Sequence, residues 1–147
     1  MGIWFKDVED YDNAETATRS GVWGSVGYAV WMAISSAIEF ARSDISLQFQ
    51  LMTPLGQSII IAFVAVPICV SLVAAWRFRL GKGLIAGSLT LVVLVAQIGL
   101  AIANGYFMGI LGYAIAFGIL MSLINGLRGA WALRAMHRPE EVVQAFE

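Results

Sequence analysis

Long apolar stretches separated by short polar segments dominate the chain. Apolar residues run with few interruptions over residues 20–41, 54–76, 84–103 and 106–128. A helix that crosses a bilayer needs about 20 apolar residues, so each stretch has the length of a membrane span. The pattern predicts an all-α fold, an integral membrane four-helix bundle with short antiparallel connections. We place this domain at residues 20–134, where the fourth helix continues beyond the membrane from residue 128 to residue 134.

The segments around the predicted spans are polar or amphipathic. Residues 1–19 form an acidic lead whose apolar side chains suit the membrane interface, and residues 42–53 form a loop of amphipathic character. Thr53 and Pro54 have the pattern of an N-cap followed by proline at the first helical position. Pro67, near the middle of the second span, predicts a kinked helix. Residues 135–147 are expected to form a short tail helix that begins near Pro139.

Two series of small residues recur at every fourth position, a spacing that brings them towards one helix face. Small side chains let neighbouring backbones approach closely, which is how helices associate inside a bilayer. We expect two packing seams, which hold the bundle together and also contact a second copy or another membrane protein. They comprise Ser25, Ala29, Ala33 and Ala37 on the first span, and Ala114, Gly118, Ser122, Gly126 and Ala130 on the fourth.

The composition agrees with a membrane protein, because 59% of the 147 residues are hydrophobic and only 13% are charged. Basic residues flanking spans favour the cytoplasmic side. If both termini are cytoplasmic, Arg42 is the one basic residue outside and the other eight of the nine lie inside. We therefore predict an N-in/C-in topology, in the cytoplasmic (inner) membrane of a bacterium. The inside residues are Lys6, Arg19, Arg77, Arg79, Lys82, Arg128, Arg134 and Arg138.

Five of these basic residues are candidates for contacts with anionic lipid headgroups. They also fit two simpler roles, which are to determine the topology or to be neutralised by the acidic lead. The five residues are Arg77, Arg79, Lys82, Arg128 and Arg134.

Glu39 is the one acidic residue inside an apolar run, and a carboxylate there is a candidate functional group. Arg42 follows three residues later, a spacing that allows a helical ion pair with Glu39. Such a pair would anchor the end of the first span at the membrane surface. Alternatively, Glu39 lines an outward-facing polar pocket with Gln57, Gln97 and Asn104. The amides also fit simple hydrogen bonds between helices.

The residues that bind metals and cofactors are scarce. With one cysteine, Cys69, and one histidine, His137, the chain is expected to hold neither a structural metal nor haem. We predict no cofactor, no nucleic-acid partner and no catalytic site. A weaker alternative is a quinone, carotenoid or chlorin in an apolar groove flanked by Trp31, Phe63 and Phe117.

Beside this cofactor alternative, we expect one of two other function classes. The first is a structural or accessory subunit that packs through its seams in a homo-oligomer or a larger membrane complex. The second is a small oligomeric transporter or channel that uses the polar pocket around Glu39. Whether Glu39 faces the bundle or pairs with Arg42 separates the two.

Overall fold

The computed structural model describes residues 8–103, 105 and 109–144. Over these residues the chain forms five helices and no strand. Four helical segments, α1, α3, α4 and residues 109–136 of α5, are long and apolar enough to cross a membrane. The predicted all-α class is confirmed, and the four segments fit a multi-pass membrane protein. The helices are α1 (Tyr11–Ala41), α2 (Ser43–Leu51), α3 (Pro54–Arg79), α4 (Leu84–Ala103) and α5 (Gly109–Gln144).

The first helix starts earlier than the apolar pattern indicates. Asp10 is its N-cap, and the Asp10 carboxylate accepts a hydrogen bond from the backbone N–H of Tyr11 at 2.8 Å. The predicted first span starts at residue 20, but Ala14, Ala17 and Thr18 are already buried. The second half of the acidic lead is therefore the start of α1, because its small residues pack inside the bundle.

The second and third predicted spans coincide closely with α3 and α4. The Thr53 hydroxyl accepts a hydrogen bond from the backbone N–H of Gly56 at 3.3 Å, and Pro54 is the first residue of α3. The helix continues through Pro67, whose carbonyl accepts a hydrogen bond from the Ser71 hydroxyl at 2.6 Å. The kink at Pro67 stays a prediction. α4 has the predicted bounds.

The loop and the tail differ from the sequence predictions. The amphipathic loop contains α2, a helix of nine residues. The fourth span and the tail are not separate helices, since α5 is continuous from Gly109 to Gln144 and passes through position 139. The run from residue 130 to residue 136 consists mostly of alanine, leucine, arginine and methionine, which favour helix, and contains no glycine to end it. Tyr106 and Phe107, where the fourth span was expected to start, lie outside the described residues.

The core lies at one end of the bundle. It takes buried residues from positions 14–29 of α1, 67–78 of α3 and 87–94 of α4, together with residues of α5. α1 contacts all the other helices, and its most extensive contacts are with α5. The buried cluster comprises Tyr28, Ala74, Phe78, Leu94, Ile119, Leu123 and Ala130.

Glycines allow the backbones of α1 and α5 to touch. A Cβ at Gly21 would lie 2.8 Å from the Cα of Gly126, and a Cβ at Gly24 would lie 3.0 Å from the backbone nitrogen of Leu123. These pairs advance along α1 as they go back along α5, so the two helices are antiparallel. The Ser20 hydroxyl donates a hydrogen bond across this contact to the carbonyl of Ser122 at 3.2 Å. We call this contact the glycine crossing.

Phe78 fills the space beside the glycine crossing. Its side chain is 1% exposed, and its ring lies against Gly21, Gly83, Gly87 and Gly126. A Cβ at Gly83 or at Gly87 would overlap the ring. Glycines from three helices and from the α3–α4 turn thus pack around one aromatic ring near the end of α3.

The predicted seams enter the core over only part of their length. A step of four residues overshoots a full helical turn by about 40°, so four such steps rotate a seam by about 160°. The buried face of α5 instead alternates steps of three and four, through residues 116, 119, 123, 126, 130 and 133. A role for the exposed part of each seam in association stays a prediction. Ser25, Ala29, Gly126 and Ala130 are buried and Ser122 is half-buried, whereas Ala33, Ala37, Ala114 and Gly118 are exposed.

The glycine crossing predicts an asymmetry between two glycine substitutions. Gly21→Ala places a methyl group against the backbone of Gly126 and should lower the unfolding free energy by about 1–3 kcal/mol. Gly99→Ala is the matched control, because nothing lies within 4 Å of a Cβ at Gly99 and alanine favours helix. Unfolding of both variants in detergent provides the comparison. Equal stability of the two variants would contradict the crossing.

Candidate functional site

A groove between the helices lies in the half of the bundle away from the glycine crossing. It has a volume of about 350 Å³, and it opens to the surface of the bundle. All four long helices contribute to its walls, so its shape depends on how α1, α3, α4 and α5 pack. We call it the inter-helix groove. It is lined by Tyr28, Trp31, Met32, Ser35, Ser36, Glu39, Phe63, Leu94, Gln97, Ile98, Leu100 and Ala116.

One face of α1 forms the long wall of the groove. The lining positions 28, 31, 32, 35, 36 and 39 recur at steps of three and four, which places them on one side of the helix. The rise of an α-helix over this stretch is about 16 Å. The groove is therefore elongated. Tyr28 lies at the end next to the buried core, which we call the inner end, and Glu39 lies at the opposite end, which we call the outer end.

A polar pair occupies the inner end. The Tyr28 hydroxyl donates a hydrogen bond to the Gln97 side-chain carbonyl, which links α1 to α4. Tyr28 is 1% exposed, whereas Gln97 is half-buried and lines the groove. The bond satisfies the phenol in its apolar surroundings. The amide nitrogen of Gln97 carries two further N–H donors.

Glu39 supplies the charge at the outer end. It is exposed, and it is the one charged residue among the described residues that line the groove. The predicted helical ion pair with Arg42 is not what the structure shows, because α1 ends at Ala41 and Arg42 has extended backbone. The Arg42 guanidinium instead lies 3.8 Å from the Asp44 carboxylate, measured between Nε and Oδ1. Glu39 thus lines the groove and is also exposed at the surface.

The other members of the predicted polar pocket lie elsewhere. Gln57 donates a hydrogen bond from Nε2 to the backbone carbonyl of Phe49 at 3.0 Å, which ties α3 to α2. Phe49 also meets Phe40 edge to face, with ring centroids 5.3 Å apart. Asn104 lies outside the described residues. Of the predicted set, Glu39 and Gln97 both line the groove, at opposite ends.

Two of the three aromatic residues proposed to flank a cofactor line the same groove. Trp31 and Phe63 are on its walls, and Phe117 is exposed and does not line it. Part of the predicted polar pocket and part of the predicted aromatic groove therefore line the same cavity.

The basic residues gather at the opposite end of the bundle. A Cβ at Gly81, in the α3–α4 turn, would lie 3.5 Å from the Cδ1 of Leu133, so this turn lies beside the region of α5 that carries Arg134. A second cavity of about 280 Å³ at this end is lined by Leu84, Trp131, Arg134 and Ala135. The basic residues on these segments are Arg77, Arg79, Lys82, Arg128 and Arg134. Their contact with anionic lipid stays a prediction.

The side chains that bind metals do not cluster in the described part of the chain, where no group of three or more His, Cys, Asp or Glu residues is found. Cys69 is exposed on α3. The His137 side chain lies outside the described residues.

Sequence reasoning missed Tyr28, Ser35 and Ser36 as members of the site. A signal was present, because the polar residues Tyr28, Ser35 and Glu39 lie at steps of seven and four and so share a face of α1. The partner of this face was not visible, since Gln97 is distant in the chain and its pairing depends on how α4 packs against α1.

The hydrogen bond between Tyr28 and Gln97 predicts a coupling in unfolding experiments. Tyr28→Phe and Gln97→Leu should each destabilise the protein, and their double variant should show a coupling free energy of about 0.5–1.5 kcal/mol. The double-mutant cycle is measured by unfolding in detergent and serves as its own control. Strictly additive effects would mean that the pair makes no such bond.

Comparison with protein-family models, with curated proteins and with solved structures finds no significant match to this chain.

Proposed function

We propose that this protein binds an amphipathic small molecule in the inter-helix groove, within a membrane. The observation that supports this function most directly is the convergence of three kinds of group in one cavity. The groove combines the hydrogen-bonded pair of Tyr28 and Gln97, the aromatic walls of Trp31 and Phe63, and the carboxylate of Glu39.

The dimensions of the groove suit such a ligand. Pockets for small molecules have volumes of about 300–1,000 Å³, with apolar walls and a few polar groups that fix orientation. The groove has a volume of about 350 Å³, mostly apolar walls, and polar groups that include Ser35 and Ser36 between Tyr28 and Glu39. Quinones, carotenoids and chlorins are examples of ligands with a large apolar body. An absorption spectrum of the purified protein would reveal any of them.

Binding fits the structure better than transport through a single chain. The groove opens in one half of the bundle, whereas the other half is closed by the glycine crossing and by Phe78, which is 1% exposed. A ligand that crossed the membrane through one chain would have to separate backbones in direct contact. The transporter hypothesis therefore requires an opening between copies or a large rearrangement of α1 and α5.

We further propose that the basic end of the bundle faces the cytoplasm and the groove faces outwards. The support is the gathering of Arg77, Arg79, Lys82 and Arg134 at one end, with Arg42 beyond the far end of α1. An N-in/C-in protein of the bacterial inner membrane has this arrangement. The basic end is also the place where anionic lipid headgroups would bind.

Filling the groove should remove the bound molecule. Ser36→Phe adds a ring to the wall of the groove, and Ser88→Phe adds the same ring at an exposed position of α4. Native mass spectrometry of protein gently extracted from its own membrane should show a bound small molecule in the wild type and in Ser88→Phe. Ser36→Phe should lose it, with the same helical content by circular dichroism. A wild-type chain that carries no such molecule would contradict the proposed function.

The exposed part of the α5 seam supports a second function, that of an accessory subunit in an oligomer or a larger membrane complex. Ala114 and Gly118 are exposed, and a Cβ at Gly118 would have no neighbour within 4 Å. This surface allows the backbone of another helix to approach. Unlike Gly126, Gly118 can be enlarged without a clash inside the bundle, so it reports association alone.

Gly118→Leu should weaken self-association or release a partner subunit without loss of stability. The matched control is Gly99→Leu on α4, which also has open space around it. Mass photometry or native mass spectrometry of the extracted protein gives the size of the assembly. If the assembly keeps its size in Gly118→Leu, this part of the seam has no role in association.

A further inference from the structure

We propose that the ligand of the inter-helix groove carries an ammonium or similar cationic group that pairs with Glu39, and an apolar body that lies along α1. This inference rests on the proposed function and specifies the chemical class of the ligand. It follows from the charge, the walls and the length of the groove.

The charge of the groove favours a cation. Glu39 is the one charged residue among its described lining residues, and it lies at the outer end. The nearest basic residue along the chain, Arg42, has its guanidinium 3.8 Å from the Asp44 carboxylate. A charged carboxylate at the edge of an apolar region gains most from a cationic partner, and it repels an anionic one.

The walls of the groove favour an apolar body. Most of the lining residues are apolar, among them Trp31 and Met32 on α1, Phe63 on α3 and Ile98 on α4, and Ser35 and Ser36 are uncharged polar exceptions on α1. The faces of aromatic rings such as Trp31 and Phe63 also attract cations. An amine on an apolar chain or ring system therefore meets favourable groups along the whole groove.

The length of the groove sets the length of the ligand. From Glu39 to Tyr28 the lining face of α1 extends about 16 Å. A molecule of this length would reach the Gln97 amide, whose N–H donors bind an acceptor such as a hydroxyl or carbonyl oxygen. The chemistry is shared by a lipid with an amine headgroup and by a free amphiphilic amine.

The experiment compares two probes of similar size, dodecyltrimethylammonium and the uncharged N,N-dimethyldodecanamide. Binding to the full chain in nonionic detergent is measured by native mass spectrometry. The ammonium probe should bind the wild type about tenfold tighter than the amide, a difference of about 1.4 kcal/mol. Glu39→Gln should abolish the difference and leave amide binding unchanged.

A matched charge control is available on the same helix. Glu15→Gln makes the same chemical change far from the groove, where Glu15 pairs with Arg19 at 2.8 Å. This variant should bind both probes as the wild type does. A loss of ammonium binding in Glu15→Gln equal to that in Glu39→Gln would show a general effect of protein charge and overturn the inference.

The failure of the inference is distinct from that of the proposed function. Equal binding of both probes, unaffected by Glu39→Gln, would overturn the cationic ligand and leave an amphipathic ligand in place. If neither probe binds, both proposals fail. In nanodiscs, competition by phosphatidylethanolamine or phosphatidylcholine, but not by phosphatidylglycerol, which has no ammonium group, would support a lipid headgroup as the source. Ammonium binding unaffected by any of these lipids would support a free amine.

Discussion

The contact between the backbones of α1 and α5 is the constraint on which the rest of the structure depends. Gly21 and Gly126 have no side chains to hold the helices apart, and Gly24 meets Ser122 and Leu123 in the same way. This close approach leaves a space beside the helices that the ring of Phe78 fills, which ties α3 to the pair. Within a bilayer, where burial from water drives helices together only weakly, such close packing is a main source of stability.

The core packs tightly at one end of the bundle, and α1 and α3 are less buried at the other end. The buried residues of α1 end at Ala29, and those of α3 start at Pro67, so the far halves of these helices are not held by the core. The inter-helix groove lies in this region, between the hydrogen bond of Tyr28 with Gln97 and the carboxylate of Glu39. The bundle is thus closed at the end with the glycine crossing and the basic residues, and open at the end where polar side chains are set among mostly apolar walls.

The properties that depend on local sequence could be predicted, and those that depend on packing could not. The start of α3 at Thr53 and Pro54 and the bounds of α4 follow from capping and hydropathy. The start of α1 at Tyr11 could not be predicted in this way. The small residues before residue 20 lie in a polar segment, and they are buried only because α5 packs against them. The ion pair of Arg42 with Asp44 depends on where α1 ends. That Glu39 and Gln97 line one cavity was one of two alternatives, whereas the role of Tyr28 depends on how the distant helix α4 packs against α1.

The central claim is that the groove holds a small molecule, and it can be tested inside the cell. Trp31, on the groove wall, is replaced by the photoreactive amino acid p-benzoylphenylalanine, and the cells are illuminated before the protein is purified. Mass spectrometry of the protein then identifies what was captured. The account predicts an adduct with one defined small amphipathic molecule, in amounts that do not follow the composition of the bulk lipid. An adduct with another protein chain, or with bulk lipids in proportion to their abundance, would contradict it.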